Sequence, residues 1–337
     1  MDNVTHTLTA LVLARAGAQR LAPYATAALV VAANVSDIDY LSFLGSAASY
    51  LEYRYAWTHS LAGAAVLGAG VAVGFWGIAR RRRPQPRRLR NLLAVSLLGV
   101  LSHSFLDWTT ASGAQLLWPV KDTRYALDWL AFTDPWLLII LVLGLLLPAL
   151  FRLVAEEIGA RRSDAGLRRG AWTALAACAL LVAGRAVLHR DAVAQLESRL
   201  YQSRTPVRAA ALPTPLNPLR WEGVVETDTT YETVGLTLFQ SRQGFEPATT
   251  FYKPSPSPAL EAALSTPAAR RFLSRARFPQ AVITPAAEGW RVELRELASG
   301  AEPFGSRNLL VQIELNRELE VLTEKIRSGR RTEGLSP

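Results

Sequence analysis

The sequence predicts a mainly α-helical polytopic membrane bundle, four spans plus an N-terminal helical hairpin, followed by a small C-terminal α+β domain. Three observations carry this expectation. Uncharged apolar runs of bilayer-crossing length crowd the first 189 residues, arginines concentrate in two of the short connections between them, and beyond a Pro-rich linker the apolar residues alternate instead.

The spans are read first, because an apolar run of about 18 or more residues satisfies its backbone in hydrocarbon only as a helix. Residues 61–78 form such a run and 135–151, dense in Leu and Ile, form another. Residues 91–106 and 171–188 complete the four, although His103 and Arg185 interrupt them. Residues 4–14 and 21–35 read as a helical hairpin broken around 20–23, either crossing the membrane or half-buried in the bundle. The stretch lacks the basic start and cleavage context of a signal peptide and is kept as mature structure. Gly70 and Gly74 form a small-residue face expected to pack spans together.

Orientation follows from the short loops, where Lys and Arg resist translocation. Residues 80–90 hold seven Arg and no acid, and residues 152–170 hold five Arg, so both loops belong inside. The loops 37–58 and 107–134 are acidic on balance and belong outside. The net charge of +9 comes mostly from this half, where 18 Lys/Arg face 11 Asp/Glu against 19 and 17 in the remainder. An arginine run flanked by spans is a topogenic signal rather than a nucleic-acid patch, and no nucleic-acid partner is expected. The frame divides the chain into a membrane domain at 1–189, a helix and Pro-rich linker at 190–218, and an extracytoplasmic α+β domain at 219–337. Within the last, strands are expected around 221–227, 231–239, 280–284, 290–294 and 309–315, with a helix at 267–277, all in one sheet. Residues 317–331 are highly charged and read as a solvated helix or frayed end.

Chemistry is sought in the polar residues of the apolar half, since ionisable groups there are costly unless paired, metal-bound or lining a cavity. The single cysteine, Cys178, excludes an intrachain disulfide and a Cys-ligated zinc site. Of four histidines, three lie in compact polar motifs that the topology places near one side of the membrane: His6 in MDNVTHTLTA, His59 in YAWTHS and His103 in LSHSFLDW. Asp37 and Asp39 stand in NVSDIDY, where one carboxylate can bind a metal while the other binds a second metal or accepts a proton. His103 and Asp107, four apart, share one helix face and can reach one cation. Asp134, before Pro135, is a further candidate base.

Each feature also has a plainer reading. His6 and His59 suit interfacial histidines, Asp37 and Asp39 suit Asx-turns, His103 and Asp107 suit a metal-free hydrogen bond, and Asp134 suits a helix N-cap with Pro at the first position. Taken together, three imidazoles and several carboxylates without thiolate fit one or two Zn²⁺ or similar cations. Asp39 and Asp134 are then the groups for proton transfer. Such a centre lowers the pKa of a bound water and supports hydrolysis of a phosphoester, amide or ester. No G-x-S-x-G, P-loop or H-E-x-x-H is found.

The ordered motifs MDNVTHTLTA, NVSDIDY, THS, LSHSFLDWTTASGAQLLWP, the Asp-Pro step and PTPLNPLRWEGVVE resemble the YdjM-like membrane-bound metal-dependent hydrolases, also described as LexA-binding inner-membrane-associated hydrolases. The resemblance covers nearly the whole chain. It implies a multi-pass protein of the bacterial inner membrane with a metal site built from His6, Asp37, Asp39, His59, His103 and Asp107. Thr58, Thr109, Gly113 and the Trp118-Pro119 pair match the surroundings of these motifs. Ser36 stands where such proteins commonly have Pro, which alters the turn before the first Asp. The order of His and Asp is also similar to that of zinc-dependent phospholipase C, which implies phosphoester chemistry. Several histidines of that cluster have no counterpart here.

Aromatic residues Tyr50, Tyr53, Tyr55, Trp57, Trp108, Trp118, Trp129 and Trp136 line the expected outer side, as an interfacial belt or as an entry for a lipid-linked substrate. Two rival functions are a transporter, which would favour repeated halves and broken helices, and a non-catalytic scaffold whose cytoplasmic arginine loops bind a protein partner.

Overall fold

A computed structural model describes residues 1–44, 56–80, 87–157, 164–240, 244–298 and 309–328. Most of the first arginine loop, part of the second, and Tyr50, Tyr53 and Tyr55 lie outside the described residues. The chain divides into two compact units, the second comprising residues 40–54 and 187–337.

The first unit is helical. Asp2 caps α1 (Asn3–Ala16), its side chain accepting from Thr5 N, and α2 (Ala25–Val35) follows a short turn. A 3₁₀ stretch, Ser36–Leu44, carries Asp37 and Asp39, and another, Trp57–His59, leads into α3 (Leu61–Arg80). Then come α4 (Arg87–Trp108), α5 (Pro135–Glu157) and α6 (Ala165–Glu197). These last four are each long and apolar enough to cross a bilayer and contain the four expected spans. The α5 surface is lipid-like, with Leu146, Leu150 and Phe151 exposed on its outer face.

Small residues set the helix packing, but not the pair expected. Among the described residues a side-chain carbon on Gly70 or Gly74 would meet nothing within 4 Å, so these glycines do not mark a close helix crossing there; this corrects the sequence reading. The close crossings are elsewhere. A Cβ on Gly99 of α4 would lie 2.8 Å from the Leu29 carbonyl and from Ala32 of α2, and one on Gly144 of α5 would lie 2.3 Å from Ala174 of α6. Spacing alone marks a small stripe without saying which neighbour faces it.

α1 fills the centre, with Val12 and Ala16 in a core with Leu137, Leu141 and Ala174, and Ala10 and Ala14 in another with Leu29 and Val95. Arg15 Nη1 donates to Leu145 O (2.7 Å), near the point where Pro148 interrupts the α5 hydrogen-bond ladder. Between α4 and α5 the irregular segment folds back on itself, Ala114 exchanging backbone bonds with Tyr125 (2.9 and 3.0 Å). Gly113 allows this, since its φ is 58° and a Cβ would lie 2.4 Å from the Tyr125 carbonyl.

The second unit begins in the last turns of α6, where Ala192 and Leu196 pack with the fully buried Trp221. One antiparallel sheet runs β1 (Arg208–Pro213), β2 (Arg220–Glu226), β3 (Thr230–Thr237) and β4 (Thr249–Tyr252) in chain order. A second runs β5 (Pro279–Ala286), β6 (Gly289–Glu296), β7 (Leu309–Asn316) and β8 (Val321–Ser328). Helices α7 (Pro258–Leu264) and α8 (Pro267–Leu273), capped by Ser257 and Thr266, pack on that sheet through Ala263 and Phe272. Two sequence expectations are corrected: there are two sheets rather than one, and most of the charged final stretch is strand β8 rather than a helix or frayed end. Among the described residues β8 is an edge strand paired with β7 alone, and charged side chains suit such an edge while hiding the period-two pattern. Between the sheet elements, burial favours raising the Glu226 carboxyl, but Lys253 and Arg208, each 2.6 Å away, outweigh it and hold it below its ordinary range.

A buried His and Asp centre

Four elements bring the predicted polar residues together. α4 contributes His103 and Asp107 one turn apart, the 3₁₀ turn before α3 contributes His59, the 3₁₀ stretch after α2 contributes Asp37, and α1 brings His6 alongside. All five side chains are buried. Donor atoms of Asp37, His59, His103 and Asp107 lie within 4.8 Å of one another, an arrangement able to hold a metal ion.

Asp107 is the hub. Its Oδ2 lies 3.0 Å from His59 Nε2 and 3.3 Å from His103 Nε2, and those two nitrogens stand 3.1 Å apart. Asp37 Oδ1 lies 3.8 Å from His59 Nε2. On its other side, Asp107 Oδ1 meets His6 Nε2 at 3.3 Å and the Met1 amine. His6 stacks on His103 with ring centroids 3.9 Å apart.

Each imidazole of the four-residue group turns Nε2 inward and Nδ1 outward. His103 Nδ1 lies 2.8 Å from the Ala33 carbonyl, which only accepts, so Nδ1 carries the hydrogen and Nε2 presents a lone pair to the centre. His59 Nδ1 faces Asp39 Oδ2 at 3.3 Å and Thr58 Oγ1 at 2.9 Å. Burial works to lower the His59 pKa, but hydrogen bonds and charge from Asp107 and Asp39 overcome it and raise the group above its ordinary value.

Not every candidate joins the group. Asp39 stands behind the His59 ring, on the opposite edge from Asp107. Asp134 is away from the centre: Oδ1 accepts from Trp136 N (3.1 Å) and Leu137 N (3.2 Å), capping α5, while Oδ2 accepts from Arg185 Nη2 at 3.0 Å. The pairing explains how Arg185 sits buried in the apolar helix α6. Trp57, Trp118 and Trp136 are partly exposed, and Trp108 and Trp129 are half-buried.

Sequence reading missed the Ala33 carbonyl and the Asp134–Arg185 pair. A carbonyl belongs to every residue and leaves no signal, whereas an arginine inside an apolar run does ask for a buried partner.

The sequence model of the family described as YdjM inner membrane protein matches residues 1–192, which contain every residue of the centre. No curated protein and no solved structure matches the chain.

Proposed function

The chain belongs to the YdjM inner membrane protein family, and from that premise and the buried centre we propose that it is a membrane-bound metal-dependent hydrolase. One observation carries the reading. His59 Nε2, His103 Nε2 and Asp107 Oδ2 converge at 3.0–3.3 Å. A hydrogen on His59 Nε2 would relieve its contact with Asp107 alone, whereas a cation placed among the three atoms relieves all three contacts at once. Two ligands at ~2.0–2.1 Å on a tetrahedral zinc stand about 3.3 Å apart, so the spacing suits that ion, and the all-N/O donor set suits zinc or manganese.

Asp37, His59, His103 and Asp107 would hold the ion, and His6 lies against the same carboxylate. When bound, a divalent cation supplies a Lewis acid that makes water nucleophilic near neutral pH and stabilises charge on the substrate oxygen. The protein's part is to fix the two imidazoles with Nε2 inward and to keep the carboxylates out of bulk water, where their attraction for a cation is strongest. Asp134, capped and paired, is assigned to stability rather than to proton transfer.

The substrate proposed is a phosphoester of a lipid-linked or envelope molecule, with the centre lying toward the extracytoplasmic side. The excess of arginine in the loops 80–90 and 152–170 supports this orientation, and the exposed Trp57, Trp118 and Trp136 are suited to an amphipathic substrate.

The test is elemental analysis of detergent-purified protein, wild type beside His103→Ala with Asp37→Ala, followed by phosphodiester and amide hydrolysis assays. Stoichiometric zinc or manganese, lost together with hydrolysis in the variant, is the expected result. A wild type that neither retains nor takes up metal removes the reading and moves the weight to a scaffold. Orientation is checked separately with reporters fused after Gly170 and after Arg190: the first is expected in the cytoplasm and the second outside, and a cytoplasmic second reporter overturns the outward-facing site.

A further inference from the structure

We infer that Asp39 and Thr58 are positioning residues that fix the hydrogen of His59 on Nδ1 and so aim its Nε2 lone pair into the centre. The inference rests on the metal-site reading for its consequence, but not for its geometry.

Three atoms close a triangle on the outer edge of the ring. Thr58 Oγ1 donates to Asp39 Oδ2 at 3.2 Å, His59 Nδ1 lies 2.9 Å from that same hydroxyl, and Nδ1 lies 3.3 Å from Asp39 Oδ2. All three residues are buried. The hydrogen count decides the arrangement. An ionised carboxylate only accepts, and the hydroxyl has one hydrogen, which it gives to Asp39. A bare Nδ1 would set a lone pair against both of these oxygens; Nε2 faces a carboxylate as well, Asp107, but that one is already met by the Met1 amine and His6, so the one hydrogen of the neutral ring is assigned to Nδ1. The neutral ring then has its lone pair on Nε2, the atom 3.0 Å from Asp107 Oδ2 and 3.1 Å from His103 Nε2.

The two carboxylates of the Asp-Ile-Asp step thus serve opposite edges of one imidazole. Asp37 Oδ1 approaches Nε2 at 3.8 Å and belongs with the ligands, while Asp39 lies at Nδ1 and acts through the ring. His103 has the same outward hydrogen bond, supplied by a backbone carbonyl. A carbonyl cannot be mutated away and carries no full charge; Asp39 does both jobs, orienting His59 and making it a stronger donor to a cation.

The first readout needs no metal. With ¹⁵N-histidine label in the full-length protein at alkaline pH, where the rings are neutral, His59 is expected to carry its hydrogen on Nδ1, and Thr58→Val or Asp39→Ala is expected to shift it toward Nε2. The second is Co²⁺ titration. Asp39→Asn keeps the shape and drops the charge, so affinity is expected to fall ~10–100-fold while the saturated stoichiometry and visible spectrum stay those of wild type, with Asp39→Glu recovering part of the loss. Asp37→Asn, by contrast, is expected to change the spectrum. A neutral His59 protonated on Nε2 in the wild type, unchanged affinity in Asp39→Asn, or a ligand-loss spectrum in that variant each overturns the inference. A wild type that binds no cation yet shows the Asp39-dependent hydrogen on Nδ1 overturns the hydrolase reading and leaves the positioning role standing.

Discussion

Asp134→Ala is expected to destabilise the helical unit by about 3–5 kcal/mol, because it removes the carboxylate that faces the buried Arg185 guanidinium. Arg185 is 1% exposed and its Nη2 donates to Asp134 Oδ2 at 3.0 Å. The same substitution removes the N-cap of α5, where Asp134 Oδ1 accepts from Trp136 N and Leu137 N, a loss of ~1 kcal/mol more. The companion variant separates the two effects. Asp134→Ser with Arg185→Leu restores a capping oxygen and leaves no unpaired charge, and it is expected to recover most of the stability in thermal unfolding from detergent. It also tests the role of Asp134 in chemistry. Hydrolysis that survives in the double variant assigns the residue to the fold; hydrolysis lost from a stably folded double variant returns it to proton transfer.

Asp107→Asn is expected to abolish stoichiometric cation binding. The carboxylate touches every imidazole of the site, His59 and His103 through Oδ2 and His6 through Oδ1. No other residue occupies that central position among the described side chains. Loss of an outer hydrogen-bond partner costs ~10–100-fold in metal affinity, and loss of a ligand that also supplies charge is expected to exceed it. Asparagine keeps the volume, so core packing around Leu106 is preserved and unfolding is expected to change less than metal content. Calorimetric titration with Zn²⁺ checks the affinity, and far-UV circular dichroism of the same sample checks the fold. Retention of wild-type affinity in Asp107→Asn would place the cation away from these residues.

Much of this architecture was legible in the chain. Apolar runs of span length predicted four helices, and each lies within a helix of the structure, because a run that apolar has few other ways to satisfy its backbone. The centre was legible by composition, since His6, His59, His103, Asp37 and Asp107 are expensive beside apolar helices unless they meet. Less was readable in the second unit. Strands β1 and β4 are short and weakly patterned, and β8 is disguised by its charges. A run such as Arg-Glu-Leu-Glu-Val-Leu-Thr-Glu-Lys-Ile looks solvated until its pairing with β7 is known.

What the sequence determined by itself is therefore local: which segments are helices, where charge is excluded, and which side chains have to find partners. What only the tertiary structure decided is the pairing. Asp37 and Asp39 differ by two positions on one 3₁₀ stretch, and nothing in that stretch says which approaches Nε2 and which Nδ1. That division is set by the direction from which His59 arrives on another element, as the partner of Arg185 is set by the approach of α5 to α6. Periodicity fixes the face of a helix that a residue occupies; only packing fixes what stands opposite.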